Sequence, residues 1–527
     1  MPNSSWRDDG IDRWLSHRIG LPPLCELASG VERSALVRRG VSRQVIMGGV
    51  ALADGRAPDN LLPFLPLFIL PAMKFSRQFL VVLLVAIPTI AFTLNQKAHA
   101  APPNLVLLLS DDMGWSDYGF MGHPDVQTPN LDRLAKQSAV FPRGYVPTGL
   151  CRPSLMTLLT GHYASTHGVT GNDPSPKYAD KDSDLYQQRR AQLISYLDRF
   201  ETLPEALAKQ GYISHQSGKL WEGSYQNAGF TNGMTKGFPN PGGRHGDAGL
   251  KIGREGINEI NTFLDDAVQQ EKPFYLWYAP FMPHTPHTPP QRLLDKYRDG
   301  RPLTVAKYYA MCEWFDETCG QIMESLEERG LAENTMIVYL TDNGWIQNPD
   351  GRGYAPRSKQ TPYEYGVRTP IFYWMPGKIK PGVRTDLVTS LDIYPTMLAA
   401  AGGEVSDQLP GLDLMDELST GDKIDRDTVY GEGFAHDIAD IEKPEASLLY
   451  RWVIEGPWKL LLTYDGEVNR YQSTHPRTEK GPQLFNLIDD PHEKTNLAKD
   501  HPDVVARLAK KLEQWYPVTE RKTITTP

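Results

Sequence analysis

Residues Asn104 to Asp112 read NLVLLLSDD. A short unbroken apolar run of this kind is expected of a strand buried on both faces, as in the middle of a parallel sheet. It stops at Ser110, and two carboxylates follow at once. The same pattern recurs downstream. Tyr212 to Ser217 runs into Gly218-Lys219, PFYLWYA (Pro273 to Ala279) runs into FMPHTPH, and MIVYL (Met336 to Leu340) runs into Thr341-Asp342-Asn343-Gly344. Helices are expected between these strands. Thr202-Leu203-Pro204-Glu205 has capping-box spacing and opens a helix that Gly211 closes. Tyr308, Met311, Phe315, Cys319, Ile322 and Leu326 recur at three- and four-residue intervals before Gly330. The alternation predicts an α/β fold, with a large, mostly parallel or mixed sheet flanked by helices. Ligands of such sheets bind beyond the carboxyl ends of the strands, so Asp111, Asp112, Lys219, His284, Asp342 and Asn343 are expected to converge at one rim.

The full length of 527 residues exceeds what one small core serves, so a large domain and a smaller one are expected. The smaller is assigned to 427–527, with antiparallel strands at Ser447 to Ile454 and Trp458 to Tyr464. A helix from Asp503 to Trp515 follows, carrying Val504, Val505, Leu508 and Leu512 on one side. That leaves 101–426 for the catalytic domain. The net charge of -9 is dispersed rather than blocked, which argues against a nucleic-acid-binding surface. The four cysteines, Cys25, Cys151, Cys312 and Cys319, are too few and scattered for a disulfide scaffold. Cys312 and Cys319 fall on one expected helix about 10 Å apart along its axis, beyond disulfide reach, and read as core residues.

The segment MKFSRQFLVVLLVAIPTIAFTLNQKAHA, Met73 to Ala100, has a basic start at Lys74 and Arg77, an apolar run from Phe79 to Phe92, and Ala98-His99-Ala100 as a small-x-small cleavage site. This is the order of a signal peptide. The run is too short for a comfortable membrane span and contains Pro88, so no stable span is expected after cleavage. Translation is accordingly expected to begin at Met73, with 1–72 an extension outside the native protein. The mature chain, from near Ala101, would be periplasmic or secreted.

Asp111-Asp112 and Asp342-Asn343 offer oxygen ligands at two strand ends, a set that suits a hard cation, calcium before magnesium. Either pair alone would equally serve an Asx-type turn or a helix cap. The segment GLCRPSLMTLLTG, Gly149 to Gly161, sets Pro153 to start a helix, which would put Cys151 at a helix N-terminus. Free N–H groups there favour bound anions and a more acidic thiol; an inert buried cysteine is the plainer alternative.

Cys151-Arg152-Pro153-Ser154-Leu155, continuing to Leu158, Thr160 and Gly161, resembles the signature of the formylglycine-dependent sulfatases of the alkaline-phosphatase-like superfamily. The resemblance extends to Lys219 in SGKLW, His284 in PHTPH, Lys359 in RSKQTPYEYGVRTP and the stretch FNLIDDPHEKTNLA from Phe485 to Ala498, and spans about Pro103 to Trp515. It implies conversion of Cys151 to formylglycine by a separate modifying enzyme, catalytic roles for Cys151, Lys219, His284 and Lys359, and one calcium held by Asp111, Asp112, Asp342, Asn343 and the side chain at 151. The chain departs from the family at Leu155, where an arginine is usual, and at Trp221, where a histidine is usual. Arg152, His215 and His287 are the candidates to complete the sulfate-binding side. The implied activity is hydrolysis of a sulfate monoester, on a sulfated carbohydrate in preference to a small aryl sulfate. A phosphate or phosphonate ester hydrolase and a glycan-binding pseudoenzyme are the alternatives. The loop Tyr225 to Arg254, with Arg244, His245 and Asp247, and the turn Gly171-Asn172-Asp173 are long enough to line a sugar pocket, and a surface loop without a ligand is the equal alternative.

Overall fold

A computed structural model describes residues 101–177, 180–237, 247–351, 353–465, 468–469 and 481–519. The expectations for 1–100, Cys25 and the signal peptide included, and those for Arg244 and His245 lie outside the described residues.

Six strands of useful length build the principal sheet: β1 (Asn104–Ser110), β2 (Ala139–Tyr145), β3 (Ile213–Gly218), β4 (Phe274–Ala279), β5 (Thr335–Thr341) and β6 (Arg368–Trp374). The order across it is Val388–Thr389, β2, β6, β5, β1, β4, β3, Asn232–Gly233, and Gly382–Val383 also pairs with β2, which makes a nine-stranded sheet among the described residues. β1 runs parallel to both β4 and β5, with Leu105 opposite Tyr275 and Met336. β3 joins β4 in parallel, whereas β6 is antiparallel to β5 and β2. The sheet is therefore mixed, with four adjacent parallel strands, β3, β4, β1 and β5, ending on the same edge.

The unbroken apolar runs have a direct structural cause. Side chains alternate across a strand, so Leu105, Leu107 and Leu109 enter one core while Val106 and Leu108 enter another on the opposite face. Helices cover both. Leu203–Lys209 starts with the expected capping box between Thr202 and Glu205, and the long helix Leu303–Glu328 buries Tyr308, Met311, Cys312, Phe315, Cys319 and Ile322. Its Asp316 accepts backbone N–H bonds from Asn130 (3.1 Å) and Leu131 (2.7 Å) at the start of helix Pro129–Lys136.

Beyond residue 427 the chain forms a separate antiparallel sheet of β7 (Thr428–Phe434), β8 (Leu448–Glu455), β9 (Trp458–Thr463) and β10 (Gln483–Asn486), in the order β7-β8-β9-β10. Helix Pro502–Trp515 closes one face by burying Leu508 and Leu512 against Val453, Leu460 and Leu484; Val504 and Val505 pack at the margin. The other face enters the large-sheet core through Trp452, Ile454 and Leu461. A buried ion cluster joins the two sheets, with Lys459 Nζ 2.9 Å from Glu364 and 3.0 Å from Glu493. Among the described residues no helix is long and apolar enough to cross a membrane.

Candidate active site

The rim is assembled by backbone bonds before any side chain contributes. Asp342 N–H donates to Ser110 O (3.0 Å), Asp111 N–H to Met282 O (2.9 Å) and Lys219 N–H to Ala279 O (2.7 Å), so the segments leaving β1, β3, β4 and β5 are tied together. Gly218, at φ +86°, permits this approach, since a Cβ there would overlap Ala279 O. Asp112 is itself left-handed at φ +66°, a conformation that aspartate tolerates better than most side chains. Its N–H donates to Asp342 Oδ1 (3.1 Å).

The side chains that the sequence placed at this rim meet there. Lys219 Nζ is 2.5 Å from Asp111 Oδ1 and 3.7 Å from Asp342 Oδ2. Asn343 Nδ2 donates to Asp112 Oδ1 (2.7 Å), which also accepts from Lys359, whose ammonium stands 3.0 Å from Cys151 Sγ. His284 donates through Nδ1 to Thr285 O (2.6 Å) and sets Nε2 3.4 Å from Asp112 Oδ2. Donor atoms of Asp111, Asp112, Cys151 and His284 all fall within 4.8 Å of one another.

Four oxygens in this cluster are buried without a hydrogen-bond partner among the described residues: Asp111 Oδ2, Asp112 Oδ2, Asp342 Oδ2 and Asn343 Oδ1. Buried polar atoms are normally satisfied, and four orphans in one place are what a cation's coordination sphere requires. Burial drives the carboxyl of Asp111 well above the usual carboxylate range, with Lys219 opposing and Asp342 and Asp112 reinforcing the rise. Burial raises Asp342 as well, with Lys219 opposing and the charge of Asp112 reinforcing. A hard cation would reverse that cost by holding both groups ionised.

A model of the Sulfatase family matches residues 103–403, more than half of the chain. The chain belongs to the sulfatase family. With it the chain is a sulfuric ester hydrolase, and its mixed sheet is that of the alkaline-phosphatase-like fold. Human N-acetylgalactosamine-6-sulfatase is 29% identical over 464 residues, covering 78% of this chain and 85% of that one. A Bacteroides thetaiotaomicron sulfatase from the metabolism of multiple glycosaminoglycans superposes with a TM-score of 0.62 at 21% identity, over 79% of this chain and 99% of that one. The phosphonate monoester hydrolase of Agrobacterium radiobacter shares the fold at a TM-score of 0.56 and 19% identity, over 78% and 95% of the two chains.

In this sulfatase Cys151 opens helix Cys151–Thr160, as its sequence suggested. Its thiol differs from expectation. Burial pushes it up to about 11, with Lys219 and Lys359 opposing the rise and Asp342 and Asp112 adding to it. The three candidates for the sulfate-binding side part company. Arg152 is fully engaged: its guanidinium grips Glu222 through two 2.7 Å bonds and donates to Asn172 O (2.9 Å), all buried. His215 is buried within β3 against the Phe263 ring, four residues short of the rim, where burial lowers it to about 4. His287 lies near the Tyr308 and Trp345 rings, and burial lowers it to about 4 in spite of the charge of Asp112.

The two departures from the family pattern also find places. Leu155 is buried in the large-sheet core, and the Trp221 ring lies 5.3 Å from the Lys219 ammonium, a cation–π contact. Two groups near the site gave no sequence signal. Glu222 becomes significant only through its pairing with Arg152, 70 positions away. His436 bonds Asp437 (2.6 Å) and Asn172 (3.2 Å), whose Oδ1 accepts the Arg152 N–H (3.2 Å). The Asn172 turn, anticipated as a pocket element, thus abuts the start of the Cys151 helix.

Proposed function

We propose that this protein hydrolyses a sulfate monoester of a carbohydrate, with a formylglycine made from Cys151 and a single calcium ion. The four orphaned buried oxygens beside residue 151 carry the proposal. Asp111, Asp112, Asp342, Asn343 and the side chain at 151 would hold the ion. Calcium would draw charge from the sulfuryl oxygens, and the hydrated aldehyde at 151 would supply the attacking hydroxyl and, through its second hydroxyl, a way to release sulfate. Lys359, 3.0 Å from the 151 side chain, would offset the negative charge of the ionised attacking oxygen and of the sulfuryl oxygens. Burial by itself would lower the Lys359 ammonium, but Asp112 and its neighbours hold it above the ordinary lysine range, so it stays cationic throughout. The S–O bond to the alcohol breaks, and the departing oxygen takes a proton from His284 or Lys219. The Thr285 carbonyl orients the His284 ring so that Nε2 faces the reacting centre.

A carbohydrate substrate is supported by the N-acetylgalactosamine in the human relative's name and by the glycosaminoglycan metabolism to which the Bacteroides protein belongs; both are statements about those proteins. The signal-peptide pattern supports export to the periplasm or beyond, and the division into a catalytic domain of 101–426 and a small domain of 427–527 follows the two sheets. Cys151→Ser or Cys151→Ala should abolish turnover of aryl and carbohydrate sulfates, and mass spectrometry of the peptide containing residue 151 should show the aldehyde. Near-normal rates in either variant, or a matched aryl phosphate cleaved faster than the sulfate, would overturn the proposal.

A further inference from the structure

A broad hollow lies away from this rim. Helix Cys151–Thr160 points its first residue at the catalytic cluster and its last at a cavity of about 840 Å³, roughly 14 Å along the helix axis. His162 and Tyr163, just past the helix end, line it, together with Phe200, Tyr430 and Trp515. A second cavity of about 650 Å³ shares Glu201, Leu398, Glu404, Ser406 and Gln408 with the first, so the two adjoin along a common wall and make one trough. We propose that this trough is a second, non-catalytic binding site for a neutral oligosaccharide segment.

Shape, surface and charge each bear on the ligand. Two adjoining cavities suit a chain rather than a compact metabolite, and the volume of each falls in the range of specific ligand sites. Half-buried aromatic rings line the hollow. Tyr430 and Trp515 stack at 5.1 Å with 15° between planes, and Tyr163 meets Trp515 edge-on at 4.9 Å. Sugar rings lie on aromatic faces through their C–H bonds, while Thr166, Ser406 and Gln408 supply the hydroxyl and amide groups that pair with sugar hydroxyls. The charges disfavour an anion. Arg426 is bound through both guanidinium nitrogens to Asp392 (2.5 and 2.6 Å), Lys209 is paired with Glu201, and Arg199 lies on the Tyr196 ring and donates to His167 O (2.6 Å). Glu404 and Asp407 remain as lining carboxylates. A sulfated segment would meet them unfavourably, whereas unsulfated residues of the same polymer, or the desulfated product, would not.

The site touches none of the groups assigned to catalysis, so it can be tested apart from the catalytic reading. The full chain carrying Cys151→Ala, which prevents turnover, is titrated calorimetrically with neutral hexamers of β-linked galactose, glucose and N-acetylglucosamine, and with a 6-sulfated hexamer. At least one neutral hexamer should bind with one-site stoichiometry, and Tyr430→Ala or Trp515→Ala should weaken it by at least about tenfold. Gln408→Trp, an exposed change that fills the trough without disturbing packing, should do the same while leaving aryl sulfate turnover by the Cys151 protein unchanged. The proposal fails if no neutral hexamer binds, if binding survives Gln408→Trp, or if the sulfated hexamer binds more tightly through the same residues.

Discussion

The pair formed by Arg152 and Glu222 offers a sharp test of how the start of the catalytic helix is held. Both side chains are about 2% exposed, and two parallel 2.7 Å bonds join them. Removing one partner leaves the other charged and buried, which costs about 3–5 kcal/mol. Arg152→Met and Glu222→Leu should each show a loss of that order in urea-denaturation midpoints at constant m-value. The double variant replaces both charges by apolar groups of similar bulk, so the desolvation penalty disappears along with the attraction. What remains is the lost bond from Arg152 to Asn172 O, about 1 kcal/mol. The cycle should therefore yield a coupling energy of about 3 kcal/mol or more, with the double variant more stable than either single one. The single variants should also lose kcat, because Cys151 is the immediate neighbour of the displaced side chain. Additive losses would refute this reasoning. So would an Arg152→Met enzyme of wild-type stability whose only defect is a raised KM, the signature expected of an arginine that contacts sulfate directly.

Three further outcomes follow from the site and its surroundings. Chelation should abolish activity and lower the thermal midpoint, with calcium restoring both; free calcium at a hundred times Kd stabilises the folded state by about 2.7 kcal/mol, and Asn343→Leu should blunt that gain in calorimetric titration. An unchanged calcium affinity in Asn343→Leu would remove this side chain from the proposed ligands. His284→Ala should slow sulfates with poor alcohol leaving groups by about 100-fold or more while sparing nitrophenyl sulfate; equal losses on both would exclude a role in protonating the leaving group. Among the described residues Glu432 is buried with Oε2 unpartnered, and burial raises it to about 7 in the folded protein against the lowering by hydrogen bonds from Ser165 and Ala164. Its protonated form is thus favoured by folding, so its stabilising contribution is complete below about pH 4.5 and is lost as pH rises through 7, amounting to about 3 kcal/mol. Glu432→Gln, which imitates the protonated acid, should melt near the wild type at pH 5 and well above it at pH 8. A difference independent of pH would show that this carboxyl is ionised in the fold at both.

Legibility in the sequence followed the range of the interaction involved. NLVLLL, PFYLWYA and MIVYL were readable as strands because a strand buried on both faces must be apolar at every position, and that is a local property. The capping box at Thr202 and Glu205 and the apolar stripe of Leu303–Glu328 were readable for the same reason. Parallel strands bring their carboxyl ends to one edge, so the meeting of Asp111, Asp112, Lys219, His284, Asp342 and Asn343 followed from topology once the strands were recognised. Other features were settled only by tertiary packing. The depth of Cys151 turns the expected acidic thiol into one raised to about 11, because desolvation depends on everything packed around it. Arg152, His215 and His287 look alike as polar residues near motifs, yet one is locked onto Glu222, one is buried in β3 and one lies near the Tyr308 and Trp345 rings. The trough past Thr160 takes its lining from segments scattered between His162 and Trp515. The sequence by itself determined the four parallel strands β1, β3, β4 and β5, the helices Leu203–Lys209 and Leu303–Glu328 and the edge on which the chemistry gathers, since these rest on periodicity and chain direction, whereas Ala139–Tyr145 and Arg368–Trp374 carried no such signal. Only the tertiary structure decided which charges are paired, how deeply the nucleophile's precursor lies and where a second hollow opens, since burial and long-range partnership are properties of the packed whole.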